Sequence, residues 1–250
     1  INKIKPDWVI NAAAFTNVDK AELLPDQADL VNGMAPYFLS KAIDKVGGKL
    51  IQISTDFVFD GKKLSPYNTF DERNPINTYG KTKEKGELAV EEILHPKGKG
   101  LILRTSWLMS PFRNNFLLTI LKLLNSKKQI KVVYDQIGCP TSTYTLAKLV
   151  WSIIQKNNHK DLIEPYLHCC DDGITNWYEV ALYISSLANE LGFIANTPEI
   201  IPIKTSKYGA LAKRPYYSLL NNNLIKKEIE YDSKKWEVTI KEILNKILKP

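Results

Sequence analysis

Two short runs hold the side chains best suited to chemistry, Ser54-Thr55-Asp56 and, further on, Tyr79-Gly80-Lys81-Thr82-Lys83. Tyr79 and Lys83 are four apart, so a helix over 78–94 puts them one turn apart on one face, within reach of a shared ligand. That sets a phenol beside an ammonium. A free phenol titrates near ~10 and is a sluggish acid or base at neutral pH unless a nearby positive charge stabilises its phenolate, which Lys83 can supply. The same pair also suits a solvated helix face, so its meaning depends on what surrounds it.

Ser54, Thr55 and Asp56 close a strand expected over 49–55, and the polar ends of parallel strands are where an open sheet gathers ligand chemistry. Hydroxyls and carboxylates there serve equally well as caps of the next turn. Asn77 is placed to cap the helix carrying Tyr79. The intervening stretch 57–77, with Asp60-Gly61 and Asn74-Pro75, reads as a long loop able to cover a site.

Upstream, Asp7-Trp8-Val9-Ile10-Asn11 reads as a buried strand running into Ala12-Ala13-Ala14. Side chains this small let a flat ligand lie against backbone, or let strand and helix pack tightly. Residues 25–46 read as helical, with Leu30, Met34, Phe38 and Ala42 on one apolar stripe, a kink or split at Pro36 and a stop at Gly47-Gly48. Residues 100–107 form a third strand that finishes in hydroxyls and Trp107. Asn114-Asn115-Phe116 leads into a helix to about Leu124, and 130–133 is a further short strand. The repeating βα order predicts an α/β fold with a doubly wound parallel sheet. Beyond Pro140, helices near 143–156, 176–191 and 235–248 with strands at 166–169 and 199–203 suggest a smaller α/β lobe. The expected division is 1–140, a partial dinucleotide-binding domain, and 141–250, a substrate-binding lobe with the C-terminal helices, the chain being free to cross between them.

The 250 residues are 44% hydrophobic and 24% charged, ordinary for a globular protein with a sizeable core. No apolar run approaches the ~18 residues of a membrane helix, and the N-terminus has no signal-peptide pattern, so a cytoplasmic protein without a membrane partner is expected. Cys139, Cys169 and Cys170 are odd in number and lack C-x-x-C spacing, which argues for reduced thiols over a disulfide framework or a zinc site. The formal charge of +7 comes from dispersed lysines without interleaved aromatics, so no nucleic-acid partner is expected. No G-x-G-x-x-G run is present, and Gly47-Gly48 follows a helix and precedes a strand, the wrong order for gripping a pyrophosphate.

The sequence resembles the dTDP-4-dehydrorhamnose reductase family of extended short-chain dehydrogenases. The matching runs are Asn11-Ala12-Ala13-Ala14-Phe15-Thr16, Val18-Asp19-Lys20-Ala21-Glu22, Ser54-Thr55-Asp56-Phe57-Val58-Phe59, Tyr79-Gly80-Lys81-Thr82-Lys83 and Arg104-Thr105-Ser106-Trp107. Further matches are Asn114-Asn115-Phe116, Asp135-Gln136-Ile137-Gly138-Cys139-Pro140-Thr141 and Lys213-Arg214-Pro215. The resemblance implies a Rossmann-like fold and reduction of the 4-keto sugar nucleotide dTDP-4-keto-6-deoxy-L-mannose by NADPH or NADH, a step in polysaccharide biosynthesis. It implies Tyr79, Lys83 and Thr55 as catalytic set. Tyr79 would protonate the C4 carbonyl oxygen, Lys83 would depress the tyrosine and hold the nicotinamide ribose, and Thr55 would hydrogen-bond the same oxygen. Ala12, Ala13, Ala14, Thr16 and Ser54, with Tyr79 and Lys83, match cofactor-lining positions. Asp56, Trp107 and Asn115, with Thr55, match substrate positions, and Arg214 is assigned to the diphosphate. No metal is implied, and family members often dimerise, which leaves a homodimer open.

By the family pattern roughly 50 residues carrying the first βαβ units are expected before Ile1, as for a truncated product or a fragment. Phe57 stands where the family usually has tyrosine, and Cys139 takes a variable place in the G-x-P-T turn. Sugar-nucleotide dehydratases carry Asp-Glu after the threonine. Phe57 replaces that Glu, which favours reduction. A 4-epimerase usually lacks the S-T-D-[YF]-V-F run. The other alternative is a noncatalytic binding subunit resembling the regulatory subunit of methionine adenosyltransferase, which shares V-F-D-G and Y-G-K-T-K but not an intact S-T-D.

Overall fold

The computed structural model describes residues 1–158, 161–162, 164–194 and 197–248. In chain order the strands are β1 (Trp8–Asn11), β2 (Lys49–Thr55), β3 (Gly100–Thr105), β4 (Leu108–Met109), β5 (Gln129–Val133), β6 (Ile137–Gly138), β7 (Thr141–Ser142), β8 (Tyr166–Cys169), β9 (Thr175–Asn176) and β10 (Glu199–Ile203). The helices are α1 (Val18–Leu23), α2 (Pro25–Asp29), α3 (Ala35–Val46), α4 (Thr78–Leu94), α5 (Phe116–Leu124), α6 (Thr143–Lys156), α7 (Trp177–Glu190), α8 (Asn223–Ile229) and α9 (Trp236–Leu248).

Strands β1, β2, β3 and β8 form one parallel sheet in that spatial order. Side chains alternate across a strand, and both faces of this sheet are apolar, as a doubly wound arrangement requires. Ile51, Leu101 and Leu103 point to one face, against Leu146, Leu149 and Ile153 of α6 and Ile225 of α8. Leu50 and Ile102 point to the other, against Ile43 of α3 and Val90 and Leu94 of α4. A second core joins α5, α7 and α9 with Val58, Phe59 and Tyr67 of the 57–77 stretch. Beside it β5 and β10 pair in parallel, apart from the main sheet. Although β8 and α6 lie beyond residue 140, they pack in the main sheet's layers, so the chain crosses between the two cores.

Three expectations are corrected. Residues 25–46 are helical throughout, but the irregularity is a π-helical segment, Leu30–Met34, ahead of Pro36. Proline lacks the N–H that would bond the carbonyl four residues back, and the widened turn absorbs that loss. The stripe of Leu30, Met34, Phe38 and Ala42 is not the buried one, since Leu30 is 63% and Phe38 60% exposed. Asn32, Pro36, Ser40 and Ile43 face inward instead. The cause is close approach of α4, because a Cβ at Gly86 would lie 2.2 Å from the Asn32 carbonyl oxygen, a gap that only small or compact groups fill. Finally β3 stops at Thr105, because Trp107 takes a left-handed φ of 46° and turns the chain out of the sheet.

Candidate active site

The carboxyl end of β2 delivers Ser54 and Thr55 into a turn over Asp56–Val58. The Thr55 hydroxyl caps this turn by accepting the Phe57 N–H at 3.2 Å, and donates to Asp56 Oδ1 at 3.0 Å. Helix α4 begins directly against it. Asn77 caps the helix, its side chain accepting the Gly80 N–H at 2.7 Å, as its type and position predict. Gly80 lets the first turn press on the Phe57 backbone, where an added Cβ would fall 2.2 Å from the carbonyl oxygen. Tyr79 is thereby brought to Thr55, its ring edge-on to Phe57 with centroids 5.8 Å apart. One turn on, buried Lys83 donates from Nζ to the Ile53 carbonyl at 2.6 Å.

The electrostatics correct one expectation. The phenol stands above its ordinary value, not below it. Burial pushes Tyr79 up to about 12, opposed by its hydrogen bond with Thr55 and reinforced by the nearby Asp56 carboxylate. Burial also brings Lys83 down to about 8, against the pull of Glu87 one turn further along α4. Asp56 is raised to about 6 by burial, with Ser218 and Thr55 hydrogen bonds acting the other way. At neutral pH the site thus holds a protonated phenol, a lysine that keeps its charge below about 8 and an aspartate that titrates near 6.

Beneath the site lies a layer that sequence reasoning did not single out. Asn32, from the π-helical segment, accepts the Phe15 N–H at 2.8 Å and donates both to the Phe15 carbonyl and to the Thr82 hydroxyl, each at 3.1 Å. It ties the 12–16 segment to the Tyr79 helix. Asn11 donates to Gln52 at 2.7 Å across β1 and β2. Arg104, 1% exposed, donates through Nε and Nη2 to Glu87 at 2.9 and 2.7 Å. Its guanidinium lies between the Phe59 and Tyr166 rings at 5.1 and 5.0 Å. The Glu four after Lys83 was the available signal, since a carboxylate at that spacing shares the lysine's face.

Ala12, Ala14, Thr16, Ser54, Thr55, Asp56, Tyr79, Lys83 and Trp107 share one cleft of about 210 Å³ with Thr105 and Ser106. Ala13 is exposed and outside that lining. Trp107 also borders an adjoining apolar pocket of about 250 Å³, with Phe57, Phe116, Trp177, Tyr208 and Arg214. The Trp107 and Trp177 rings stack at 3.7 Å, and the Trp177 indole donates to Gln136 at 3.1 Å. Asn115 is outside both spaces. Its side chain caps α5 by accepting the Leu118 N–H and donates to the Ser110 carbonyl, so it is spent on the local fold. Cys139 is buried, donating its thiol to the Asp171 carbonyl, and its titration is pushed far up by Cys170 and by burial. Among the described residues no group of His, Cys, Asp and Glu could hold a metal, and no helix is long and apolar enough to cross a membrane.

Residues 1–249 match the family model described as the RmlD substrate binding domain. The chain belongs to that family. It is 34% identical over 247 residues to the dTDP-4-dehydrorhamnose reductase of Escherichia coli, covering 99% of this chain and 82% of that protein. Among solved structures, the dTDP-4-dehydrorhamnose reductase of Clostridium acetobutylicum superposes with a TM-score of 0.88 at 38% identity, covering 98% of this chain and 82% of the other. That of Bacillus anthracis, solved in complex with NADP, gives 0.89 at 33% identity with the same coverage. The α/β, Rossmann-like class read from the sequence is therefore the fold of this RmlD-family chain.

Its cleft suits a nicotinamide cofactor. Ala12 and Ala14 leave a wall without bulk, and Lys83 spends one of its three N–H donors on Ile53. The Thr105 hydroxyl on the cleft is buried without a hydrogen-bond partner among the described residues, a vacancy that a polar ligand group can fill.

Proposed function

We propose that this chain reduces the 4-keto group of dTDP-4-dehydro-L-rhamnose to dTDP-L-rhamnose, with NADPH or NADH as hydride donor. The observation that carries the reading is the convergence of the Thr55 hydroxyl, the Tyr79 phenol and the Lys83 ammonium on one cleft walled by small side chains. It is supported by the relatives named as dTDP-4-dehydrorhamnose reductases and by the NADP bound in the B. anthracis protein. In this reading 1–140 is the cofactor side and 141–250 the substrate side, with α6 and β8 returning to the main sheet. Its setting is the cytoplasm and its assembly a homodimer, for which light scattering showing only monomer would be the contrary result.

Ala12, Ala14, Thr16 and Ser54 of the cleft would hold the cofactor, with Ala13 at its exposed rim, and the cofactor would supply hydride. The chain's own residues manage the oxygen. Tyr79 holds the proton that the C4 oxygen takes as it gains negative charge, and Thr55, turning from Asp56, donates a hydrogen bond to the same atom. Lys83 offsets the phenolate left behind and offers its remaining donors to the cofactor ribose. Asp56 and Trp107 border the sugar, and Arg214 meets the diphosphate. Asn115, although outside both spaces, would act by fixing the 110–116 turn beside Phe116.

Purified protein given NADPH and dTDP-4-keto-6-deoxy-L-mannose is expected to consume reduced nicotinamide, and absence of turnover would sink the proposal. The pH profile is part of the expectation. Lys83 carries its charge below about 8 and loses it above, so kcat/KM falls with rising pH through that value. A profile flat from about pH 7 to about pH 10 would remove Lys83 from the mechanism.

The glycine after Tyr79 gives a further expectation. In Gly80→Ala the new Cβ overlaps a backbone carbonyl, which no side-chain rotation relieves, so the first turn of α4 retreats and carries Tyr79 from Thr55. A displacement of about 1 Å costs on the order of 10²-fold in kcat, read from steady-state turnover at saturating substrate. Wild-type kcat in this variant would show that the close approach is not needed.

A further inference from the structure

Helix α1 connects both ends of the site, although neither of its carboxylates lines the cleft. Glu22 accepts the Thr78 N–H at 2.8 Å and the Thr78 hydroxyl at 2.7 Å, at the residue before Tyr79. Three residues earlier on α1, Asp19 accepts the Ala212 N–H at 2.9 Å and two guanidinium donors of Arg214 at 2.8 and 3.3 Å. The third side of the triangle is closed by Asn77, the cap of α4, whose amide donates to the Lys213 carbonyl at 2.8 Å. The hydrogen bond from Arg214 holds Asp19 below the usual carboxylate range against a burial cost, so its charge is kept at neutral pH.

We propose that α1 is a yoke that fixes the distance between the proton donor Tyr79 and the anion-binding Arg214, with Glu22 and Asp19 as positioning residues. The proposal rests on the functional reading above. A sugar nucleotide offers its ketone and its diphosphate at a set separation, and only a rigid frame meets both at once. Asp19 and the Ala212 carbonyl take three of the five guanidinium N–H donors and leave two for the ligand, so Arg214 is aimed rather than consumed. Glu22 satisfies a first-turn N–H of α4 that no helical partner can take, and its charge suits that end of the helix dipole. Because α1 follows Thr16 directly in sequence after Asn17, the same frame bears on the cofactor wall.

The two arms of the yoke predict different kinetic signatures. Asp19→Asn is expected to raise KM for the sugar nucleotide about 10-fold with kcat within about 2-fold, since only anion placement is loosened. Glu22→Ala is expected to lower kcat about 10- to 100-fold with KM within about 2-fold, since the phenol is displaced. Glu22→Gln restores most of kcat, because its amide can accept from the Thr78 N–H and donate to the Thr78 hydroxyl. Equal changes in both parameters for both variants, or no rescue by Gln, would reduce α1 to a structural element. Amide hydrogen exchange gives a readout free of turnover. Glu22→Ala should speed exchange over 78–83 and Asp19→Asn over 211–214, and unchanged protection in both would overturn the yoke. If the wild-type protein turns over no sugar nucleotide, the functional reading falls and the exchange pattern alone decides the yoke.

Discussion

Replacing Tyr79 by phenylalanine is expected to lower kcat by roughly 10²- to 10⁴-fold, the usual worth of a placed general acid, with little change in KM or in stability. The substitution removes one hydroxyl and leaves the edge contact with Phe57 in place. Burial raises that phenol to about 12. That high value means the proton is fully present at any physiological pH, so supply of the donor is not limiting. The difficulty lies in letting the proton go, and the surrounding charges set it. Lys83, ionised below about 8, is the cation on hand to offset the phenolate, while Asp56, ionised above about 6, opposes it. The charges favour transfer most below about 6, where Lys83 is charged and Asp56 neutral, less between the two values, and least above about 8. Steady-state turnover of Tyr79→Phe beside a thermal melt checks both halves. Undiminished kcat would dismiss Tyr79 as the acid, and a large fall in Tm would recast it as a structural residue.

Much of this arrangement was legible in the sequence because it depends on local rules. Period and punctuation placed α4, β2, α6, β8 and β10, and the Asn77 cap follows from a residue type at a helix start. What periodicity misjudged was the buried face of α2 and α3. An apolar stripe of Leu30 and Phe38 is the reasonable core face until a glycine on another helix, Gly86, brings backbone so near that bulk is excluded. The pairings of Asn32 with Phe15, Glu22 with Thr78 and Asp19 with Arg214 span separations from 17 to 195 residues, and nothing local announces them. The phenol's environment was misread for a related reason. Two side chains one turn apart predict a charge effect, but burial and a third residue, Asp56, outweigh it, and both are tertiary facts.

The largest stability effect is expected from Arg104→Met, which strands the wholly buried Glu87 carboxylate. Breaking one half of a buried ion pair costs about 3–5 kcal/mol, because the remaining charge keeps its desolvation penalty without its partner. Arg73, 3.3 Å from the same carboxylate, remains as a partial substitute and places the expected loss at the low end, about 3 kcal/mol. His168 cannot substitute. Its Nε2 lies 3.4 Å from Arg104, and although loss of the guanidinium lifts part of what holds the ring down at about 3, burial is the larger cause, remains in the variant and keeps the ring neutral. In a chain of this size about 3 kcal/mol corresponds to a Tm fall of roughly 6–12 °C, read from thermal melts. The double variant Glu87→Leu/Arg104→Met removes both charges and is expected to regain most of the loss, as apolar replacements of buried pairs often do. Activity should not follow stability. Glu87 is the carboxylate that raises Lys83, so the double variant leaves the lysine with burial alone and moves the alkaline limb of kcat/KM to lower pH. A double variant that restored Tm and kept the limb near 8 would show that the buried pair serves the fold only. A limb displaced downward in a stable protein would show that Glu87, although outside the cleft lining, holds the charge of Lys83.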